Sequence, residues 1–75
     1  MIQTKDKALL EKISIVLKQL RLTKNLTQNE VYLELGIHIG RIESCKVNIS
    51  IVTLSTICNY FDITLLEFFK KMETV

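Results

Sequence analysis

Proline is absent from the 75 residues, and Gly36 and Gly40 are the two glycines. The turns of a many-stranded sandwich or barrel draw heavily on both residue types, so the sequence favours helices joined by short connections. Length adds a second bound. The chain predicts one domain spanning residues 1–75, too short for a TIM barrel or a full dinucleotide-binding sheet. Hydrophobic residues make up 48% and charged residues 24%, which places the chain with globular proteins and away from disordered ones. A domain of this size buries only roughly 60% of its unfolded surface. Mean hydropathy is nevertheless positive, at +0.26, so some apolar surface is expected to be left for a partner.

The apolar residues recur at helical spacing. Leu9, Leu10, Ile13, Val16, Leu17 and Leu20 define one face of a first helix. Thr4 is its expected cap, Asp6 suits its first turn, and Asn25 suits a left-handed stop. Thr27 and Glu30 have capping-box spacing, with Leu26 and Val31 placed as a hydrophobic staple. They start a second helix that runs to about Leu35 and stops at Gly36. A third short helix is predicted over about His38 to Ser44, with Ile39 and Ile42 inward. Ser50 caps a fourth, whose stripe is Ile51, Leu54, Ile57, Cys58 and Phe61, and Asp62 ends it. Thr64 and Glu67 form a second capping box, stapled by Ile63 and Phe68, for a fifth helix over about Leu65 to Met72. The β-branched run from Ile49 to Thr53 argues weakly for a strand, and the cap and period that follow outweigh it.

Several function classes lose support at this level. Cys45 and Cys58 lack C-x-x-C spacing and read as reduced, intracellular thiols. His38 is the lone histidine, and Cys45 lies seven residues on, off the i+3 and i+4 rows, so no metal site and no cofactor is expected. The sequence has no phosphate-binding glycine loop, no H-E-x-x-H and no nucleophile elbow, which argues against an enzyme. No apolar run approaches about 18 residues, and Lys5, Asp6 and Lys7 follow the first residues directly. Neither a membrane partner nor a signal peptide is expected, and the cytoplasm is the expected location.

Two short helices joined by a tight glycine turn, here the second and third, are the helix-turn-helix signature. Its second helix is narrow enough to enter a major groove about 12 Å wide. From Ile13 to Phe69 the chain resembles the Cro/repressor-type (XRE-like, lambda repressor-like) helix-turn-helix regulators of bacteria and phages. The residues carrying the resemblance are Leu20-Arg21, Leu26-Thr27-Gln28, Gly36-Ile37, Arg41-Ile42-Glu43, Lys46, Asn48-Ile49-Ser50, Phe61 to Leu65, and Glu67-Phe68. The resemblance implies an all-α, compact five-helix domain that binds double-stranded DNA and regulates transcription. Three features depart from the family pattern. The segment from Thr27 to Arg41 is about three residues short, Cys45 stands where the family commonly has a helix-ending glycine, and Asp62 likewise replaces a glycine.

The resemblance places Gln28 at the start of the second helix, as a phosphate contact that also braces the third. It places Arg41 late in the recognition helix, where a guanidinium forks onto phosphate or onto guanine O6 and N7. The competing reading of Arg41 is an ion pair with Glu43 or Glu34. Glu43 matches an acid that supports the fold. The DNA-contact candidates are therefore Gln28, His38, Ile39, Gly40, Arg41 and Ser44 on the helix-turn-helix, Lys46 and Asn48 after it, and Arg21 and Lys24 before it. Charge agrees in direction: residues 12–48 carry +3 and the remainder −1, within a net +2.

The last helix holds more apolar residues than one face accommodates. Leu65, Phe69 and Met72 can face the core together, leaving Leu66 or Phe68 over, and Leu66, Phe68, Phe69 and Met72 are the candidates for a two-fold dimer contact. The expected function is a homodimer reading a palindromic operator, with no cofactor. The rival reading is a protein-interaction module, or an antitoxin-type partner, that keeps the fold with little or no DNA binding. The short helix-turn-helix and the apolar Ile37 and Ile39 motivate it.

Overall fold

The computed structural model describes residues 6–75. It contains five helices and, among the described residues, no strand. They are α1 (Lys7–Thr23), α2 (Gln28–Leu35), α3 (Ile39–Glu43), α4 (Ile51–Tyr60) and α5 (Leu65–Met72). The all-α expectation therefore holds, helix by helix.

Local chemistry explains the boundaries. Thr27 and Thr64 both close full capping boxes, each accepting from the backbone N–H of the glutamate three residues on. Ser50 accepts from the Thr53 N–H. The α1 cap is Asp6, which accepts from the Leu9 N–H; Thr4 lies outside the described residues. Three helices end in Schellman turns. The N–H groups of Leu26, Lys46 and Ile63 reach back to the carbonyls of Arg21, Arg41 and Cys58. The residue at the left-handed position is Asn25, Cys45 or Asp62, with φ of 56°, 61° and 58°. Cys45 thus adopts the glycine geometry without being glycine.

One apolar cluster holds the helices together. Val16 and Leu17 from α1, Val31 from α2, and Ile39 and Ile42 from α3 meet Leu54, Ile57 and Cys58 from α4 and Phe68 and Met72 from α5. Each fully buried side chain of this type contributes about 1.5–3 kcal/mol. Burial also pushes the Cys58 thiol pKa up. Two stripe residues fall outside the core. Leu9 and Ile51 are exposed, because each stands in the first turn of its helix and the residue one or three places on takes the inward position.

The last helix differs from expectation in a way that bears on function. Phe68 is fully buried and Met72 nearly so, whereas Leu66 and Phe69 are exposed. Phe68 lies four residues before Met72 and follows Ile63 in the staple, so both offsets turn it inward. Phe68 and Met72 are core residues and leave the set of dimer-contact candidates.

Candidate nucleic-acid interface

The joint between α2 and α3 is three residues long and tightly wound. Gly36, at φ 69°, ends α2 and donates its N–H to the Tyr32 carbonyl at 2.7 Å. His38 follows with φ −76° and ψ 78°, while the Ile39 N–H donates to the Ile37 carbonyl at 2.9 Å. That is an inverse γ-turn, a compact way to reverse the chain. α2 has eight residues and α3 only five, little more than one turn.

So short a helix needs outside support, and Arg21 and Gln28 supply it through Glu43. The Arg21 Nε and Nη2 donate to Glu43 Oε2 and Oε1 at 2.8 and 3.0 Å. Arg21 Nη1 donates to the Leu26 carbonyl at 2.8 Å, and Gln28 Nε2 donates to Glu43 Oε1 at 3.1 Å. The last residue of α3 is therefore tied to α1 and to the first residue of α2, and Arg21 in turn reaches the turn after α1. The Glu43 hydrogen bond, and secondarily its charge, hold the Arg21 pKa above its ordinary value against the opposing effect of burial.

This network relocates one expected contact. Arg21 is buried and its guanidinium is engaged with Glu43 and Leu26, so it supports the reading helix rather than offering a cation to phosphate. The periodicity carried the signal, since Arg21 is four residues after Leu17 on the inward face. Glu43 takes the supporting place that the resemblance implied, and Arg41 stays outside the ion pair. Ile39 is fully buried, so its side chain cannot meet a base.

The other candidates divide into three groups. Gln28, His38, Gly40 and Arg41 come together with Asn29, Tyr32 and Ile39 around an open cleft of about 410 Å³ between α2 and α3. The lining side chains include two amides, a phenol, an imidazole and a guanidinium, and no carboxylate. Gln28 lies across Gly40: a Cβ at Gly40 would stand 2.7 Å from Gln28 Oε1. Ser44, Lys46 and Lys24 are exposed, and the Ser44 hydroxyl donates to the Arg41 carbonyl. Asn48 lies elsewhere, in a cleft of about 250 Å³ with Asp6, Leu9, Leu10, Ile13 and Ile49. Asn29 and Tyr32 are the cleft residues that the sequence reading missed; for Tyr32, its place one turn after Gln28 on α2 was the available signal.

Comparison with known proteins bears on this geometry. A family model described as helix-turn-helix matches residues 17–68. The chain belongs to the XRE-type helix-turn-helix family. Among solved structures, this helix-turn-helix protein is similar to the wild-type restriction-modification controller protein C.Esp1396I. The two share 29% sequence identity over 88% of each chain, with a TM-score of 0.78. No curated protein matches the chain. Family and neighbour together point to a DNA-binding transcription regulator rather than an enzyme. Among the described residues, no group of three metal-ligating side chains stands together, and no single helix is long and apolar enough to cross a membrane.

Proposed function

We propose that residues 1–75 act as a single DNA-binding domain, a homodimeric and sequence-specific regulator of transcription acting on cytoplasmic DNA. The observation that carries this reading is the cleft between α2 and α3. It gathers hydrogen-bonding groups and a cation without a carboxylate, on a helix whose inner face is fixed by Arg21, Glu43 and Gln28. In this reading α3 enters the major groove with His38, Gly40 and Arg41 toward the base edges. Gln28, Ser44, Lys46 and Lys24 then serve the phosphates on either side.

A five-residue helix offers few contacts, so two copies on one operator supply the affinity that one lacks. Leu66 and Phe69, one turn apart and exposed on α5, are the proposed contact between copies. The half-sites are then expected roughly 34 Å apart on a near-palindromic operator.

Selection of bound sequences from a random duplex pool tests the whole reading. The expected result is an enriched inverted repeat with that spacing. Absence of binding even at about 50 mM salt, where phosphate attraction is strong, overturns it and favours a protein-interaction module.

A further inference from the structure

We propose that Tyr32 is a positioning residue for sequence recognition: stacked on His38, it fixes the imidazole at the mouth of the α2–α3 cleft so that His38 selects a guanine edge. This inference rests on the DNA-binding reading above and names a specificity device within it. The Tyr32 and His38 rings stack with centroids 4.3 Å apart and planes 26° from parallel. Both side chains are exposed, and both line the cleft with Gln28 and Arg41.

An isolated surface histidine rotates freely about its two side-chain torsions. This one has little freedom left. Its backbone is held in the inverse γ-turn, between the partly buried Ile37 and the fully buried Ile39. Its ring rests on Tyr32, whose own carbonyl accepts the N–H that ends α2. The side-chain entropy that a base contact would otherwise cost is therefore already lost in the free protein.

The identity of the selected edge follows from donor chemistry. The imidazole carries an N–H donor, and a ring held against Tyr32 presents it in a fixed direction. Of the four bases, guanine presents two adjacent major-groove acceptors, N7 and O6, with no donor beside them. An N–H directed between N7 and O6 is accepted at either position of that edge, whereas adenine sets its N6 amino group beside N7, thymine its methyl beside O4, and cytosine offers a donor alone. Tyr32 does not touch the base; it acts through His38.

The test compares wild type with His38→Ala, Tyr32→Ala and Tyr32→Phe, each verified as folded by circular dichroism. Bound sequences are selected from a random duplex pool, and affinities are then measured on the best site. Wild type is expected to enrich guanine at one position per half-site. His38→Ala and Tyr32→Ala should both lose that preference and bind the best site about five- to a hundredfold more weakly. Tyr32→Phe should keep the preference, because the stacking face remains. Retained guanine preference in Tyr32→Ala overturns the proposal. Weakening by the same factor on every sequence assigns the pair to phosphate and also overturns it. If wild type enriches no sequence while the selection works for a control regulator, the DNA-binding reading itself fails and this inference fails with it.

Discussion

Arg21 and Glu43, 22 residues apart, form a forked ion pair that joins the end of α1 to the end of α3, with side chains only 9% and 6% exposed. Such a pair adds little over an apolar replacement, but losing one member leaves a buried charge unmatched. Glu43→Ala is expected to cost about 3–5 kcal/mol. That is a large part of the roughly 4–11 kcal/mol that a chain of this length has in total. Urea unfolding checks it through the midpoint, and an unchanged midpoint would show that α3 is held by its isoleucines alone. Arg21→Lys should also destabilise the fold, because an ammonium keeps the charge and loses the fork.

Gly40 separates stability from recognition. Alanine there gains about 0.5–1 kcal/mol of helix propensity but places its methyl against the Gln28 amide, the mobile end of a long side chain. The expected result for Gly40→Ala is a thermal midpoint equal to or above wild type, with weaker operator binding as Gln28 is pushed off Glu43. Paired melting and anisotropy titrations check both halves. Unaltered affinity would remove the Gln28 brace from the recognition machinery.

Most of the frame was legible in the sequence because it is encoded locally. Thr27, Ser50 and Thr64 cap the helices they were expected to cap, and Asn25 and Asp62 take the left-handed stops. These features depend on residues within five positions of one another. The burial of Arg21 was half legible: it stands four residues after Leu17 on the inward face, but the carboxylate that pairs with it lies 22 positions away, and a basic side chain at the end of a helix is otherwise well placed for solvent. On α5 two adjacent phenylalanines compete for one inward position, and composition does not rank them. The Ile63 staple does, in favour of Phe68. The Tyr32–His38 stack was illegible for a further reason: it depends on how sharply the chain turns at Gly36 and His38.

Cys45 holds a backbone conformation that suits glycine, at φ 61°, and its thiol donates a weak hydrogen bond to the Ser14 hydroxyl at 3.5 Å. Left-handed geometry costs a residue with a Cβ roughly 1–2 kcal/mol. Glycine recovers that but gains freedom in the unfolded chain. Cys45→Gly is therefore expected to stabilise the protein by about 0.5–1 kcal/mol, a rise of a few degrees in Tm. Differential scanning calorimetry checks the sign, and a lower Tm would mean that the thiol packs better than its contact suggests.

Glu67 gives the fold a dependence on acid. The Thr64 backbone N–H and then its hydroxyl hold the Glu67 pKa below its ordinary value, with smaller help from Lys71 and Lys70. A depressed carboxylate stabilises the fold above its unfolded pKa, and that contribution disappears as pH falls through the folded pKa. Glu67→Gln keeps an acceptor for the cap but no longer titrates. The variant should melt slightly below wild type at about pH 7, and the gap should close as pH falls through the acid range and the Glu67 carboxylate takes up its proton. A gap in Tm that stays constant across that range would exclude this carboxylate as a source of acid sensitivity.

The exposed and buried halves of α5 separate assembly from folding. Leu66 is 63% exposed and Phe68 fully buried, although two residues apart on one short helix. A charge at position 66 meets water in the monomer and an apolar partner in the proposed dimer. Leu66→Lys should therefore leave the Tm of dilute protein near wild type and shift sedimentation from dimer to monomer. Operator binding should weaken strongly and lose its dependence on the second half-site. Phe68→Ala removes a core ring instead and should cost about 3–5 kcal/mol, visible in the melt whatever the state of assembly. Wild-type mass and affinity in Leu66→Lys would move the dimer contact off α5. The exposed Ile51 and Val52 at the start of α4 would be the next surface to substitute.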